Sequence, residues 1–149
     1  MWLAVAALVM SALLGSNLAS ADDDDHTFVV VVGADNPVPS LKRGELARLF
    51  LKKTSRWSDG REVRPVDQSA GSPVRSAFTR TVLSVEGMGK ISAVQSFWLQ
   101  QVYSGKSTPP PVKPADADVI AFITANPGAI GYVGAAPAAG TVKVLVIKD

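Results

Sequence analysis

The chain has 149 residues, of which 47% are hydrophobic and 19% charged; that composition fits one globular domain with its own core and excludes a disordered tail. It contains no cysteine and a single histidine, which rules out disulfides, thiolate metal sites and cysteine nucleophiles. Its formal net charge of +2 hides an asymmetry, because Lys42 to Arg80 holds ten Lys or Arg against Glu45, Asp59, Glu62 and Asp67. The rest of the chain is net acidic. Such a basic segment favours anionic ligands by long-range attraction, or is simply a solvated basic face. A nucleic-acid partner is not expected for a chain that reads as exported.

The first 21 residues carry no charged side chain, and Trp2 to Leu14 is almost continuously apolar. Ala19, Ser20 and Ala21 place small residues at the spacing a signal peptidase reads, so residues 1–21 are expected to be an export signal cut after Ala21. The alternative is a membrane anchor, but this apolar stretch is short of the roughly 20 residues a spanning helix needs. Residues 22–149 then form the mature domain, periplasmic or secreted from a bacterium. Asp22 to Asp25 beside His26 reads as a solvated acidic terminus rather than a metal trap.

Phe28 to Val32 is a run of β-branched and aromatic residues ending at Gly33, the pattern of a central strand buried on both faces. Ser40 is expected to cap a helix that buries Leu46, Leu49 and Phe50. Asp59 and Gly60 mark a turn, with Trp57 covering the core edge. Val63 to Val66 predicts a short strand feeding a turn at Gly71 and Ser72. Ser72 before Pro73 is a strong helix opening: the hydroxyl accepts a first-turn amide, and proline occupies a position whose donor has no helical partner. The helix so opened buries Val74, Ala77, Phe78 and Val82. A second runs from about Lys90 to Tyr103 and ends at Gly105. Four prolines between residues 109 and 114 form a stiff connector. Asp116 is expected to cap a further helix with Val119, Phe122 and Ile123 inward, stopping at Asn126, Pro127 and Gly128. Strands over Ala129 to Val133 and Val142 to Ile147 close the chain. Alternating strands and helices imply an α/β domain with a mixed or parallel sheet, in which ligands gather where strand ends meet helix starts.

The turn from Val66 to Arg75 is one such place. Its unpartnered amides and the positive end of the helix dipole suit a small anion, although most capped helices bind nothing. No base stands near a candidate nucleophile, because His26 lies in the terminus, so an enzyme is not expected. Nor do the glycines from Gly128 to Gly134 make a nucleotide fingerprint, since no helix opens after them. No cofactor or metal is called for.

Three segments in order resemble the phosphate-binding substrate-binding proteins of phosphate ABC transporters: Ala47 to Leu51 followed by Trp57, Ser58, Asp59 and Gly60; Pro65, Val66, Asp67 through Gly71 and Ser72 to Phe78; and Asn126 through Val133. The resemblance covers about Val29 to Asp149. It implies a single three-layer α/β domain with a mixed sheet flanked by helices, like one lobe of a type II periplasmic binding protein. It further implies phosphate or oxyanion binding at Gln68, Gly71, Ser72, Val74 and Arg75, and an ABC transporter permease or another envelope protein as partner. The family pattern in this loop is arginine, three residues, then serine, glycine and threonine. Here Gln68 stands at the arginine, Ser72 matches the serine, and Pro73 and Val74 replace glycine and threonine. The bidentate cation is therefore missing. Arg75 or Arg64 is a candidate substitute. The other expectation consistent with these departures is an interaction module that keeps the fold and has lost the ligand.

Overall fold

Four consecutive valines open the fold. The computed structural model describes residues 27–138 and 140–149; the expected export signal and the Asp22 to His26 terminus lie outside them. Strand β1 (Val29–Gly33) is central in a four-stranded sheet of order β3-β6-β1-β7, where β3 is Arg64–Pro65, β6 Ala129–Val133 and β7 Val142–Val144. β1 runs antiparallel to both neighbours, while β3 is parallel to β6. The sheet is thus mixed. Alternation sends Val30 and Val32 to one side, with Leu46, Phe50, Phe78 and Tyr132, and Val31 to the other, with Val66, Val119, Ile123 and Val133. β1 is buried on both faces because each face has its own helical cover.

The first cover comprises α1 (Arg43–Phe50), α2 (Pro73–Thr81), a short 3-10 turn at Leu83–Glu86 and α3 (Ile91–Tyr103); the second is α4 (Asp116–Ala125). Three layers result, as expected for an α/β domain. Aromatic rings fill the thicker side, with Tyr132 stacked on Phe78 at 4.1 Å between centroids and Phe50 tilted against both. On the thinner side α4 comes so close that a Cβ at Gly131 would lie 2.7 Å from Val119 and 2.8 Å from Val66. Glycine is what lets the helix settle there.

Several boundaries differ from expectation, each because a distant partner decides it. Ser40 is not a helix cap: it begins β2 (Ser40–Lys42), which pairs in parallel with β8 (Val146–Lys148). α1 instead starts after Lys42, whose amide donates to the Glu45 carboxylate at 2.8 Å. The strand expected over Val63 to Val66 is present as the shorter β3, paired with β6, and beyond Val66 a further strand β4 (Asp67–Gln68) pairs with β5 (Val112–Lys113) out of the proline connector. β7 and β8 are likewise divided at Leu145, whose amide donates to the Val30 carbonyl at 2.9 Å. Ala115 precedes α4 and Asp116 is its first residue; the Asp116 carboxylate is engaged elsewhere. Trp57 does cover the core edge, buried, with its indole N–H donating to the Gly128 carbonyl at 2.8 Å.

Candidate functional site

The β4 to α2 turn is held from both sides. Ser69 donates its amide to the Lys113 carbonyl on β5 at 3.1 Å, and Ser72 closes the turn by donating to the Ser69 carbonyl at 2.9 Å. Ser72 sits in extended backbone, with Pro73 as the first helical residue. Its hydroxyl accepts the Arg75 amide at 3.3 Å. The helix opening expected from Ser-Pro is therefore present, and α2 begins where β4 ends.

Gln68 is the hub beneath this turn. It is 3% exposed, so each polar atom of its side chain requires a partner. Its amide nitrogen donates to Asp116 Oδ1 at 2.9 Å and to the Tyr132 carbonyl at 3.0 Å, and its Oε1 accepts the Ser72 hydroxyl at 2.9 Å. The second oxygen of Asp116 accepts the Gly134 amide at 2.9 Å. Gln68 thus ties the start of α2 to the start of α4 and to the end of β6.

Arg75 turns inward as well. Its Nη1 donates to the Gln68 carbonyl at 2.9 Å, and its Nη2 lies 3.6 Å from Asp67 Oδ2. The phenol of Tyr132 donates to Asp67 Oδ1, and the Gln68 amide approaches the same oxygen at 3.2 Å. Burial raises the Asp67 carboxyl above the ordinary carboxylate range, against the opposing pull of Arg75 and of the Tyr132 hydroxyl. Burial, reinforced by the Asp67 charge, also pushes the Tyr132 phenol well above its ordinary value. Tyr132 therefore stays a neutral donor at physiological pH.

Of the five residues expected at the site, Gln68, Ser72 and Arg75 form one connected network. Gly71 and Val74 contribute backbone only, and among the described residues neither amide donates to an acceptor of the chain. A Cβ at Gly71 would meet nothing within 4 Å, so the turn is open there. Two unclaimed amides thus lie at the start of α2, the positive end of its dipole, while the side-chain donors of Gln68, Ser72 and Arg75 are engaged within the chain. Arg64 is not in this network. Its Nη1 reaches Asn126 Oδ1 at 3.4 Å.

Asp67, Tyr132 and Asp116 are the members that sequence reasoning did not assign to the site. Asp67 lies inside the singled-out stretch, Tyr132 is the one hydroxyl in an otherwise apolar strand, and Asp116 is expected from the sequence to cap its own helix. Among the described residues, no group of three or more His, Cys, Asp or Glu is placed to hold a metal ion. No described helix is long and apolar enough to cross a membrane.

No protein-family model matches the sequence, and no curated protein matches it. Solved structures do. A putative phosphate ABC transporter substrate-binding protein from Clostridium perfringens, with bound phosphate, superposes with a TM-score of 0.61 at 17% identity, over 80% of this chain and 44% of that one. An ABC-type phosphate transport receptor from Vibrio cholerae gives 0.60 at 16% identity, over 80% and 45%. A possible phosphate binding protein from Planctomyces limnophilus gives 0.59 at 20% identity, over 82% and 41%. This chain spans less than half the length of each. With its mixed sheet between two helical layers, it has the fold of a phosphate ABC transporter substrate-binding protein, to the extent of a single lobe.

Proposed function

We propose that the chain is an exported, non-enzymatic solute-binding module that holds phosphate or a similar oxyanion at the start of α2 and serves phosphate uptake alongside an ABC transporter permease or another envelope protein. Two things support this reading together: the shared fold, and the pair of unclaimed amides at Gly71 and Val74. The Ser72 hydroxyl completes the seat by rotating from Gln68 Oε1 to the anion. Gln68 and Arg75 fix the turn from beneath, and Arg75 adds positive potential close by. Export rests on the uncharged, apolar first 21 residues of the sequence.

A second reading has its own support. The side-chain donors of Gln68, Ser72 and Arg75 are already engaged within the chain, which is what a module that keeps the fold for protein contacts alone would also have.

Thermal melts of residues 22–149 with phosphate, and with sulfate as control, separate the two. Binding stabilises by mass action, so phosphate at ten times its dissociation constant raises the melting temperature by about 5 °C under the first reading. Ser72→Ala loses most of that rise. An unchanged melting temperature at about 10 mM phosphate places any affinity weaker than millimolar and leaves the interaction module as the account.

A further inference from the structure

At the opposite end of the β3 to β4 segment, beside the β3 edge of the sheet, lies an open cavity of about 570 Å3. None of the residues from Gln68 to Arg75 lines it. Lys52 just past α1, Arg64 on β3 and Lys106 just past α3 bring three cations to its wall, against one carboxylate, Glu62. Among the described residues none of these three cations makes an ion pair. Hydroxyls of Thr54, Ser55 and Ser107 share the lining, and Phe122 with Pro111 supplies an apolar side.

Lys52 bears on what this wall is for. It has a φ of 56°, the sole positive φ outside glycine among the described residues. That conformation is strained for an L-residue, and a helix end of this kind ordinarily carries glycine. Strain of this sort is kept where a side chain is needed. Partial burial also holds its ammonium below the ordinary lysine range, with Glu62 pulling the other way. Three like charges gathered around one carboxylate leave a net positive wall, and a dianion among them relieves the repulsion that remains.

We infer that this cavity is a second anion site, separate from the α2 turn, and that it takes the phosphate monoester of a small organic molecule. The dianionic head lies among Lys52, Arg64 and Lys106, where the guanidinium offers two parallel donors and the lysines act as point charges. The hydroxyls accept or donate at the head's rim. The carbon body lies against Phe122 and Pro111, which a bare phosphate ion cannot use.

Amide-resolved NMR titration of residues 22–149 with phenyl phosphate tests this, with inorganic phosphate and benzyl alcohol as controls for head and body. Expected are saturable shifts at Thr54, Ser55, Ser107 and Phe122 in the millimolar range, at least about fivefold tighter than inorganic phosphate at the same amides. Lys106→Ala and Lys52→Gly are each expected to weaken binding about three- to fivefold. Glycine suits the backbone at position 52, so that variant keeps the fold. Ser72→Ala leaves this affinity unchanged whether or not the α2 turn binds anions. The inference is overturned by no saturable shift at about 20 mM, by affinity that survives both cation variants, by equal affinity for inorganic phosphate, or by shifts confined to Gly71 and Val74.

Discussion

Two polar regions of this domain use charge in opposite ways. Under the α2 turn, Asp67, Gln68, Arg75, Asp116 and Tyr132 are buried or half-buried and serve one another, and no buried side-chain nitrogen or oxygen among the described residues lacks a partner. At the β3 edge, Lys52, Arg64 and Lys106 stand at an open wall without ion-pair partners among the described residues. The first region fixes a shape: it determines where two backbone amides point. The second offers unneutralised charge to whatever arrives. Buried polar groups must be satisfied for the fold to exist, whereas cations at an open wall need no ion-pair partner to be tolerated.

That contrast can be broken by substitution. Arg75→Met removes the cation that faces the buried Asp67 carboxyl and one donor to the Gln68 carbonyl, so the unfolding free energy in urea is expected to fall by about 2–4 kcal/mol. Tyr132→Phe keeps the ring stacked on Phe78 and deletes the donor to Asp67. A loss of roughly 1–3 kcal/mol is expected there, measured the same way.

The pH dependence sharpens the comparison further. Because burial raises the Asp67 carboxyl above its unfolded value, the folded chain holds a proton there more tightly than the unfolded chain does. Its contribution to stability is fully present below about pH 4 and is lost as pH rises through the folded value. The difference in unfolding free energy between the unsubstituted chain and Asp67→Asn is therefore expected to grow in favour of the unsubstituted chain from pH 7 down to pH 4. A flat difference would mean that Arg75 and Tyr132 balance burial, and a difference that shrinks towards pH 4 that they outweigh it. The smallest effect belongs to the β3 edge, where Lys106→Ala is expected to change stability by no more than about 0.5 kcal/mol; a loss as large as that of Arg75→Met would erase the distinction between the two regions.

What was legible in the sequence was local. Val29 to Val32 announced a two-faced central strand, and Ser72 with Pro73 announced the start of α2, because burial periodicity and helix capping are written in adjacent residues. What failed was decided far along the chain. Ser40 has the side chain of a cap, but β8 claims its backbone from over a hundred residues away. Asp116 has the side chain of a cap for its own helix, yet its oxygens serve Gln68 and Gly134. The inward turn of Gln68 depends on Asp116 and on the Tyr132 carbonyl, neither of which its neighbours in sequence reveal. The three cations of the β3 edge come from the ends of α1 and α3 and from β3, so only folding assembles them.

The central claim is that the α2 turn binds an oxyanion through its free amides, and amide-resolved NMR during a phosphate titration tests it most directly. The account predicts that Gly71 and Val74 show the largest saturable shifts, with matched curvature, and that Ser72→Ala weakens them. Phosphate that leaves both amides unmoved at about 20 mM, or that shifts them no more than sulfate does, would contradict it.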